Sequence, residues 1–263
     1  MQPLADHGQD SYVGHGRLTD RVALITGGDS GIGRAVALAF AREGADVLCS
    51  YWKEDEDADE TRRLVEDAGR RCLTVAGDIG DREHCNALVQ RAHDALGRLD
   101  VLVNNAAYQM AYDSFLEIPP DELDFVFRTN ILAMFHLCQA AVPKMRPGST
   151  IINTTSIQAA QPTPQLLHYA TTKGAISTFT KGLAQEVAER GIRVNAVAPG
   201  PIWTPLVAMS FPGEKLAQFG EDTPLGRPGQ PGELAPLYVF LASEDSRYIS
   251  GEVIGATGGT PLH

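Results

Sequence analysis

The feature that most constrains the fold is a regular alternation of short apolar runs with longer segments of helical periodicity. Seven runs are rich in Val, Ile, Leu or Thr and do not alternate cleanly with polar residues: RVALIT, ADVLCSY, RCLTVAG, LDVLVNN, STIINTT, IRVNAVA and GEVIGA. Such runs are typical of parallel strands that are buried on both faces. The alternation therefore predicts a parallel seven-stranded sheet.

The intervening helical segments end in a common way. Four of them reach a glycine just before the next apolar run, namely Gly44, Gly69, Gly97 and Gly191. Glycine readily adopts the left-handed conformation that closes a helix, so each is a predicted cap. Strand–helix–strand repetition places helices on both faces of the sheet. The fold class predicted is α/β, a doubly wound (Rossmann) sheet, and its ligands are expected beyond the carboxyl ends of the strands.

The chain divides into a short arm and one domain. Residues 1–19 contain no apolar stretch, which argues against a signal peptide. They indicate an arm that is flexible, or ordered only by contact with the body or a neighbouring subunit. Residues 20–263 are predicted to form a single domain. Within it, residues 199–231 hold seven of the 16 prolines and are predicted to be a long active-site loop with a short helix.

Composition excludes several functional classes. The net charge of −11 argues against a nucleic-acid partner, because phosphate binding requires clustered Lys and Arg. No stretch approaches 18 consecutive apolar residues, so no membrane span is predicted. The four cysteines lack a C-x-x-C pair, which predicts neither a disulfide nor a zinc site and favours a reducing cytoplasm. They are Cys49, Cys72, Cys85 and Cys138.

The segment TGGDSGIGRAVALAF, which follows the first run, has the properties of a phosphate-binding turn. Thr26 ends the run, and Gly27, Gly31 and Gly33 follow with the spacing G-x-x-x-G-x-G before a helix that begins near Ile32. Helix N-termini present unpaired N–H groups to a pyrophosphate, and glycine allows the backbone to approach it. A tight turn that merely needs glycine is the alternative. The flanking strand and amphipathic helix favour nucleotide binding.

This glycine spacing resembles the first motif of the classical short-chain dehydrogenase/reductase family, and further motifs of that family follow in order. They are GDI at 77–79, LVNNAA at 102–107, Asn130 in RTNI, Ser156 thirteen residues before Tyr169, Tyr169-x-x-x-Lys173, and APGPIWT at 198–204. The resemblance runs from about Leu18 to Gly259. GGDSGIGRA, FRTNI, APGPIWTP and GRPGQP are similar to a branch often labelled general stress proteins or glucose-dehydrogenase-like oxidoreductases. Two departures are Ala107, in place of a glycine, and a GATGG tail without the usual aspartate.

The resemblance implies an NAD(P)-dependent oxidoreductase that transfers a hydride between nicotinamide and a small aldehyde, ketone, polyol or sugar. Tyr169 would be the general acid and base. Lys173, one helical turn away, would lower the pKa of Tyr169 and bind the nicotinamide ribose. Ser156 would bond the substrate oxygen, and Asn130 would hold a water that links Lys173 to solvent. Each of the four alone has an ordinary structural interpretation, but all four fit one mechanism.

The resemblance also implies a set of cofactor-binding residues and no metal. The set is Gly27, Asp29, Ser30, Gly31, Ile32, Gly33, Tyr51, Asp78, Ile79, Asn105, Ala106, Ala107, Tyr169, Lys173, Pro199, Gly200, Ile202 and Thr204. NAD or NADP remains open: Lys53 in SYWKED could bind a 2′-phosphate, but the acidic run EDEDADE would repel it, which favours NAD(H). The substrate is expected against Tyr108, Gln109, Gln158, Gln161, Trp203 and residues 205–220.

Two rival functions are weaker. A non-catalytic dinucleotide sensor or scaffold would be expected to have lost part of the Ser–Tyr–Lys set, which is complete here. A sugar-nucleotide epimerase or dehydratase of the extended relatives would usually carry G-x-x-G-x-x-G and a larger carboxyl-terminal domain.

The sequence also predicts assembly. Residues 125–142 indicate a helix with apolar residues around most of its circumference, whereas covering a sheet needs only one apolar stripe. The surplus, including some of Phe125, Phe127, Phe135 and Leu137, requires another cover. The resemblance implies a homotetramer in which this helix and the one beginning near Tyr169 meet their symmetry mates. A long loop of the same chain is the alternative cover.

Overall fold

The computed structural model describes residues 3–210, 216 and 218–262 and contains a parallel seven-stranded sheet. Its order is β3-β2-β1-β4-β5-β6-β7, and every pairing is parallel. The strands are β1 Val22–Thr26, β2 Asp46–Tyr51, β3 Cys72–Ala76, β4 Val101–Asn104, β5 Thr150–Thr154, β6 Arg193–Pro199 and β7 Val253–Ala256. Each predicted run contains one strand, which confirms the predicted doubly wound fold.

Helices connect the strands on both faces of the sheet. They are α1 Gly31–Arg42, α2 Asp55–Asp67, α3 Arg82–Leu96, α4 Pro120–Phe127, α5 Ala133–Ala141, α6 Leu167–Glu186, α7 Pro205–Ser210 and α8 Pro231–Ala242. A π-helical turn, Arg128–Leu132, joins α4 to α5. The four predicted capping glycines have φ of +98°, +81°, +87° and +70° in chain order, so the structure confirms their left-handed conformation.

The core lies in two layers, one on each face of the sheet. On one face, Phe40 of α1 and Tyr238 of α8 are fully buried. On the other, Leu88 of α3 and Leu137 of α5 pack with Ile176 of α6. Strands β1 and β5 are buried along their whole length, which explains why their sequences do not alternate between apolar and polar residues.

The strand order reverses between β1 and β4, where successive connections run to opposite sides of the sheet. At such a point the loops diverge and leave a crevice outside the carboxyl ends of the strands. Thr26 ends β1, Asn104 ends β4 and Thr154 ends β5, so these residues mark the edge of the sheet at which the crevice opens.

The helical stretch Pro120–Lys144, which includes α4 and α5, is long and apolar. By length and composition it could cross a membrane, with a mean hydropathy of 1.3 over its best 18-residue window. A core helix of a soluble protein gives the same pattern, and Leu137 of this stretch is buried in the core against α3. Other apolar residues of the stretch face outward, which bears on assembly below.

The arm that precedes β1 lies against α1. The carboxylate of Glu43, the residue after α1, is buried and accepts hydrogen bonds from the Tyr12 hydroxyl, the His15 amide and Arg17. Burial alone would raise the pKa of Glu43, but these hydrogen bonds outweigh it and lower the pKa to about 2. The Arg42 guanidinium donates to arm carbonyls, among them that of Gly8.

Candidate active site

The glycine-rich turn between β1 and α1 presents an open helix N-terminus. The side chain of Ser30, the N-cap residue, makes no capping hydrogen bond, and the first helical bond runs from Arg34 N to Ser30 O. The first turn of α1 carries no acidic residue. Its N–H groups and partial positive charge are therefore available to an anion, and the turn fits a pyrophosphate.

The end of β4 holds this turn in place. The Asn105 side-chain amide donates to the carbonyls of Thr26 and Gly27 at 3.0 and 3.3 Å. Gly27 has φ of +62°, and a Cβ there would lie 3.0 Å from Ala106 Cα. A Cβ on Gly33 would lie 1.9 Å from the Gly27 oxygen. Gly33 therefore lets α1 pack closely behind the turn.

A cleft of about 500 Å³ runs along the carboxyl ends of the strands. Fifteen of the implied cofactor-binding residues that are not also catalytic line it: Gly27, Asp29, Ser30, Gly31, Ile32, Tyr51, Asp78, Ile79, Asn105, Ala106, Ala107, Pro199, Gly200, Ile202 and Thr204. Ser156, Tyr169 and Lys173 line the same cleft. Gly33 and Asn130 do not.

Of the eighteen residues that the resemblance implies for the cofactor, seventeen thus line the cleft, and Gly33 lies behind it. The seventeen come from the ends of five strands, from the start of α1 and from α6, which are far apart in sequence. The fold therefore assembles one continuous wall from the separate motifs.

The proposed catalytic side chains meet at the end of β5. Ser156 follows this strand, and its hydroxyl accepts a hydrogen bond from Gln158 N at 3.1 Å. Tyr169 and Lys173 lie one turn apart on α6 and are only 7% and 2% exposed. Lys173 Nζ donates to the Thr154 carbonyl at 2.8 Å, so the end of β5 fixes the lysine as well as the serine.

The charges of this pair differ from the sequence-based expectation. Burial raises the pKa of Tyr169 to about 12, against an opposing hydrogen bond with Ser156. Burial also lowers the pKa of Lys173 to about 7. The predicted lowering of the tyrosine pKa by Lys173 is therefore wrong for the protein alone, because desolvation disfavours the charged form of both groups.

Asn130 lies behind the cleft wall. Its side-chain oxygen accepts from Tyr108 N at 2.8 Å, and its Nδ2 donates to Tyr108 O at 2.9 Å and to Thr172 Oγ1 at 3.1 Å. The amide is thus occupied by the backbone of Tyr108 and does not contact Lys173 directly. The π-helical turn that carries Asn130 is the kind of irregularity that often accompanies functional sites.

Tyr108 is also held at its hydroxyl. It donates to Glu122 Oε2 at 3.2 Å, and burial together with Glu122 raises the pKa of Tyr108 to about 12. Its ring packs edge-on against Phe125, with 4.8 Å between the ring centres. A side chain fixed at its backbone, ring and hydroxyl forms a rigid part of the cleft wall.

The substrate end of the cleft agrees in part with the sequence-based expectation. Tyr108, Gln109 and Gln158 line it, as do five residues of the 205–220 range: Pro205, Leu206, Val207, Met209 and Phe219. Residues 211–215 and 217 lie outside the described part of the chain. Gln161 and Trp203 do not line the cleft. Gln161 Nε2 donates to Pro261 O at 2.6 Å, and Trp203 Nε1 donates to Pro3 O at 2.9 Å.

Sequence reasoning missed several residues of the wall. Phe125 and Thr129 line the cleft from α4 and the π-helical turn, and Thr154 and Thr155 line it from the end of β5. The i, i+4 spacing of Phe125 and Thr129 was the available signal, since it places both on one helix face.

The end of the cleft near β2 is acidic. Asp29, Glu54 and Asp57 line it, and burial raises the pKa of Asp29. The nearby cations are engaged: Arg34 pairs with Asp57 at 2.7 Å, and Lys53 Nζ lies 3.9 Å from the centre of the Trp52 ring. Within the described residues, no cluster of three or more His, Cys, Asp or Glu has the geometry to hold a metal ion.

Comparison with known proteins identifies the family. The family model described as enoyl-(acyl carrier protein) reductase matches residues 27–261. A short-chain dehydrogenase from Burkholderia cenocepacia, solved in complex with NADP, is 32% identical with a TM-score of 0.86 and covers 92% of this chain and 98% of that one. The chain belongs to the short-chain dehydrogenase/reductase family.

Other family members extend the comparison. A short-chain dehydrogenase from Mycobacterium paratuberculosis bound to NAD is 30% identical, with a TM-score of 0.83 and coverage of 92% of this chain and 98% of that one. The uncharacterized oxidoreductase YhdF of Bacillus subtilis is 53% identical over 259 residues, which are 98% of this chain and 90% of the relative. Glucose and ribitol dehydrogenase of Daucus carota is 48% identical over 265 residues, covering 98% and 91%. This chain is accordingly an oxidoreductase of the family.

Proposed function

We propose that the protein transfers a hydride between a nicotinamide cofactor and a small carbonyl compound or alcohol, with Tyr169 as the general acid and base. The observation that supports this most is the convergence of Ser156, Tyr169 and Lys173 on the same cleft as the open N-terminus of α1. One end of the cleft suits a pyrophosphate, and the other carries a proton donor beside a hydroxyl. A non-catalytic sensor would not require the second end.

The proton steps follow from the positions of the side chains. A bound nicotinamide would supply or accept the hydride. In reduction, the Tyr169 hydroxyl gives its proton to the substrate oxygen while the Ser156 hydroxyl donates a hydrogen bond to the same oxygen. With a pKa of about 12, Tyr169 is protonated at neutral pH and is ready to act as an acid. In oxidation it must be deprotonated, and a charged Lys173 favours that form.

The cofactor residues have separate roles in this proposal. The start of α1, with Ser30, Gly31 and Ile32, would bind the pyrophosphate. Asp78 and Ile79 would contact the adenine, Tyr51 and its neighbours the adenosine ribose, and Lys173 the nicotinamide ribose. The segments at Asn105–Ala107 and at Pro199, Gly200, Ile202 and Thr204 would enclose the rest of the cofactor.

We further propose NAD(H) rather than NADP(H) as the preferred cofactor. Asp29, Glu54 and Asp57 would repel a 2′-phosphate, whereas a carboxylate can accept hydrogen bonds from free ribose hydroxyls. Arg34 could oppose this preference only by leaving its ion pair with Asp57. Solved members of the family contain either nucleotide, so the preference rests on these side chains.

The substrate class proposed is a small aldehyde, ketone, polyol or sugar. Gln109, Gln158 and Tyr108 offer hydrogen bonds to hydroxyl groups, and Leu206, Val207 and Met209 offer apolar contact. The carrot relative is named for glucose and ribitol, which makes sugars and polyols the first compounds to test. The assay below tests both the oxidation and the reduction of these compounds.

Assembly and location complete the proposal. Leu132 and Phe135 are 48% and 42% exposed and lie three residues apart on the long helical stretch. Of the four candidates for the apolar surplus, Leu137 is only 1% exposed and belongs to the core, whereas Phe135 is exposed and packs on Phe179 of α6 with 4.5 Å between the ring centres. This outward apolar face supports a homotetramer built on α5 and α6.

The cysteines support a cytoplasmic location. All four are free and buried, and free thiols are typical of a reducing compartment.

Cofactor fluorescence under turnover tests the proposal. The purified chain is assayed with NAD, NADH, NADP and NADPH against aldehydes, ketones, polyols, sugars and an enoyl thioester. We expect turnover of a carbonyl–alcohol pair with a preference for NAD(H). Tight nucleotide binding without turnover in any combination would instead support the sensor, and reduction of the enoyl thioester alone would contradict the proposed reaction.

A further inference from the structure

The arm before β1 spans the two ends of the long loop at residues 199–231. The Pro3 carbonyl accepts from Trp203 Nε1 at 2.9 Å, near the beginning of the loop. Asp6 N donates to Gln230 Oε1 at 3.0 Å, and the Asp6 carbonyl accepts from Gly232 N at 2.9 Å, near its end. The arm therefore bonds to both ends within four of its own residues.

The two ends of the loop also meet each other at this place. Ile202 and Gly229 form a parallel bridge. Trp203 N donates to Gly229 O and Gly229 N donates to Pro201 O, both at 2.9 Å. The hydrogen bonds of the arm lie on either side of this bridge, so the arm and the bridge together close the base of the loop.

The beginning of the loop is part of the cleft wall. Pro201, Ile202 and Thr204 line the cleft, whereas Trp203 does not and is only 8% exposed. Its indole thus lies away from the cleft and its Nε1 bonds to the arm. Any displacement of Trp203 would be transmitted directly to its two cleft-lining neighbours, because all three share one short stretch of backbone.

The arm has its own anchors, which are independent of the loop. Arg42 donates to the carbonyls of Gly8, Gln9 and Tyr12. Gly8 lies so close to α8 that a Cβ on Gly232 would be 2.7 Å from Gly8 N. An arm fixed at α1 and packed against α8 can restrain the loop, whereas a free arm would only follow it.

Most of the arm is common to this chain and a relative. The match to the Bacillus relative spans 98% of the chain and therefore includes most of residues 1–19.

We propose that residues 3–8 are a clasp that fixes the base of the loop and so positions the cleft wall at Pro201, Ile202 and Thr204. The clasp is a positioning element and makes no contact with reacting atoms. Its kinetic consequence rests on the proposed function, but its structural consequence does not. Release of the clasp should loosen the beginning of the loop and weaken substrate binding, while Tyr169 on α6 stays in place.

Two substitutions in the full chain test the clasp. Trp203→Phe removes the indole N–H that bonds to Pro3 and keeps an aromatic ring. Gly232→Ala places a methyl group against Gly8 and displaces the arm, without the backbone strain of a positive φ. Gly182→Ala is the matched control, since an added Cβ on this α6 glycine has no heavy atom within 4 Å.

Hydrogen exchange gives the readout that does not depend on activity. In both test variants we expect amides of residues 199–210 to exchange roughly fivefold faster than in the wild type, the effect of losing about one hydrogen bond. Gly182→Ala should match the wild type. Unchanged exchange of residues 199–210 in both test variants would overturn the clasp.

Steady-state kinetics test the positioning role. We expect KM for the carbonyl substrate to rise roughly threefold to tenfold, with kcat within about twofold of the wild type. A loss of kcat at constant KM would indicate a smaller folded fraction and would contradict positioning. If the wild type turns over nothing, the proposed function fails and hydrogen exchange alone still decides whether the clasp exists.

Discussion

The ammonium nitrogen of Lys173 lies 5.3 Å from the centre of the Tyr169 ring, and both side chains are almost fully buried. The lysine is tied to the Thr154 carbonyl and the tyrosine to Ser156, so the end of β5 positions both members of the pair. Among the residues that the structure describes, neither group has a full counter-charge beside it. Their protonation is therefore governed by burial, and it should respond to whatever charge enters the cleft.

The buried lysine should make stability depend on pH. Because its pKa is lowered to about 7 in the folded chain, the unfolded state binds more protons between pH 7 and the ordinary lysine pKa. Stability should consequently rise with pH across this window, by about 1.4 kcal/mol per pH unit at most. Lys173→Met should remove this slope. Urea unfolding of both proteins at pH 6 to 9 measures it, and parallel pH profiles would contradict the shifted pKa.

Asn130→Ala should loosen Tyr108. The substitution leaves the N–H and C=O of Tyr108 without their partner, and an unpaired buried group costs about 1–3 kcal/mol. We expect a lower urea midpoint and a higher KM for substrate, with a smaller change in cofactor affinity. Asn130→Asp is the matched comparison because it retains the acceptor for Tyr108 N. An Ala variant with wild-type stability and KM would show that this amide does not position Tyr108.

Trp52→Arg should raise the affinity for NADP relative to NAD. Trp52 lines the acidic end of the cleft, and an arginine there would supply a charged donor for a 2′-phosphate. We expect the ratio of the two dissociation constants to change about tenfold, equivalent to about 1.4 kcal/mol. Trp52→Phe controls for loss of the indole. An unchanged ratio in binding titrations would mean that the 2′-position lies elsewhere.

Phe135→Glu should disrupt assembly. A charge placed on the exposed apolar face of α5 would have to be buried at a helix-pair interface, which is unfavourable without a partner. Light scattering after size exclusion should show a wild-type mass several times the 28.3 kDa of one chain and a smaller mass for the variant. Ala87→Glu, at an exposed position of α3, provides a control that adds the same charge away from α5 and α6. A monodisperse wild-type mass near that of one chain would refute the oligomer.

The sequence predicted those features that depend on local pattern. Gly97 and Gly191 marked helix ends because a left-handed residue is needed there, and Thr26 marked the end of the first strand, beside which the cleft opens. Once the strands are parallel, their carboxyl ends meet at one edge. The proximity of Gly31 to Ser156 then follows from topology alone.

Features that depend on helix rotation or on distant pairing were not predictable. Leu137 was a candidate for the outer face, but its position on α5 directs its side chain into the core. Trp203 was expected in the cleft, yet the backbone aims it at Pro3, 200 positions earlier in the chain. Lys173 was expected to be charged because the pattern shows its spacing from Tyr169 but not the depth of its burial.

Tyr169→Phe tests the central claim most directly. The change removes the hydroxyl that would transfer the proton and leaves the ring, so the fold and cofactor binding should be preserved. On the best substrate of the wild type we expect kcat to fall by at least about a hundredfold, while the dissociation constant for NADH, measured by fluorescence titration, changes less than about threefold. Turnover close to the wild-type rate, with NADH binding intact, would contradict the assignment of Tyr169 as the general acid and base.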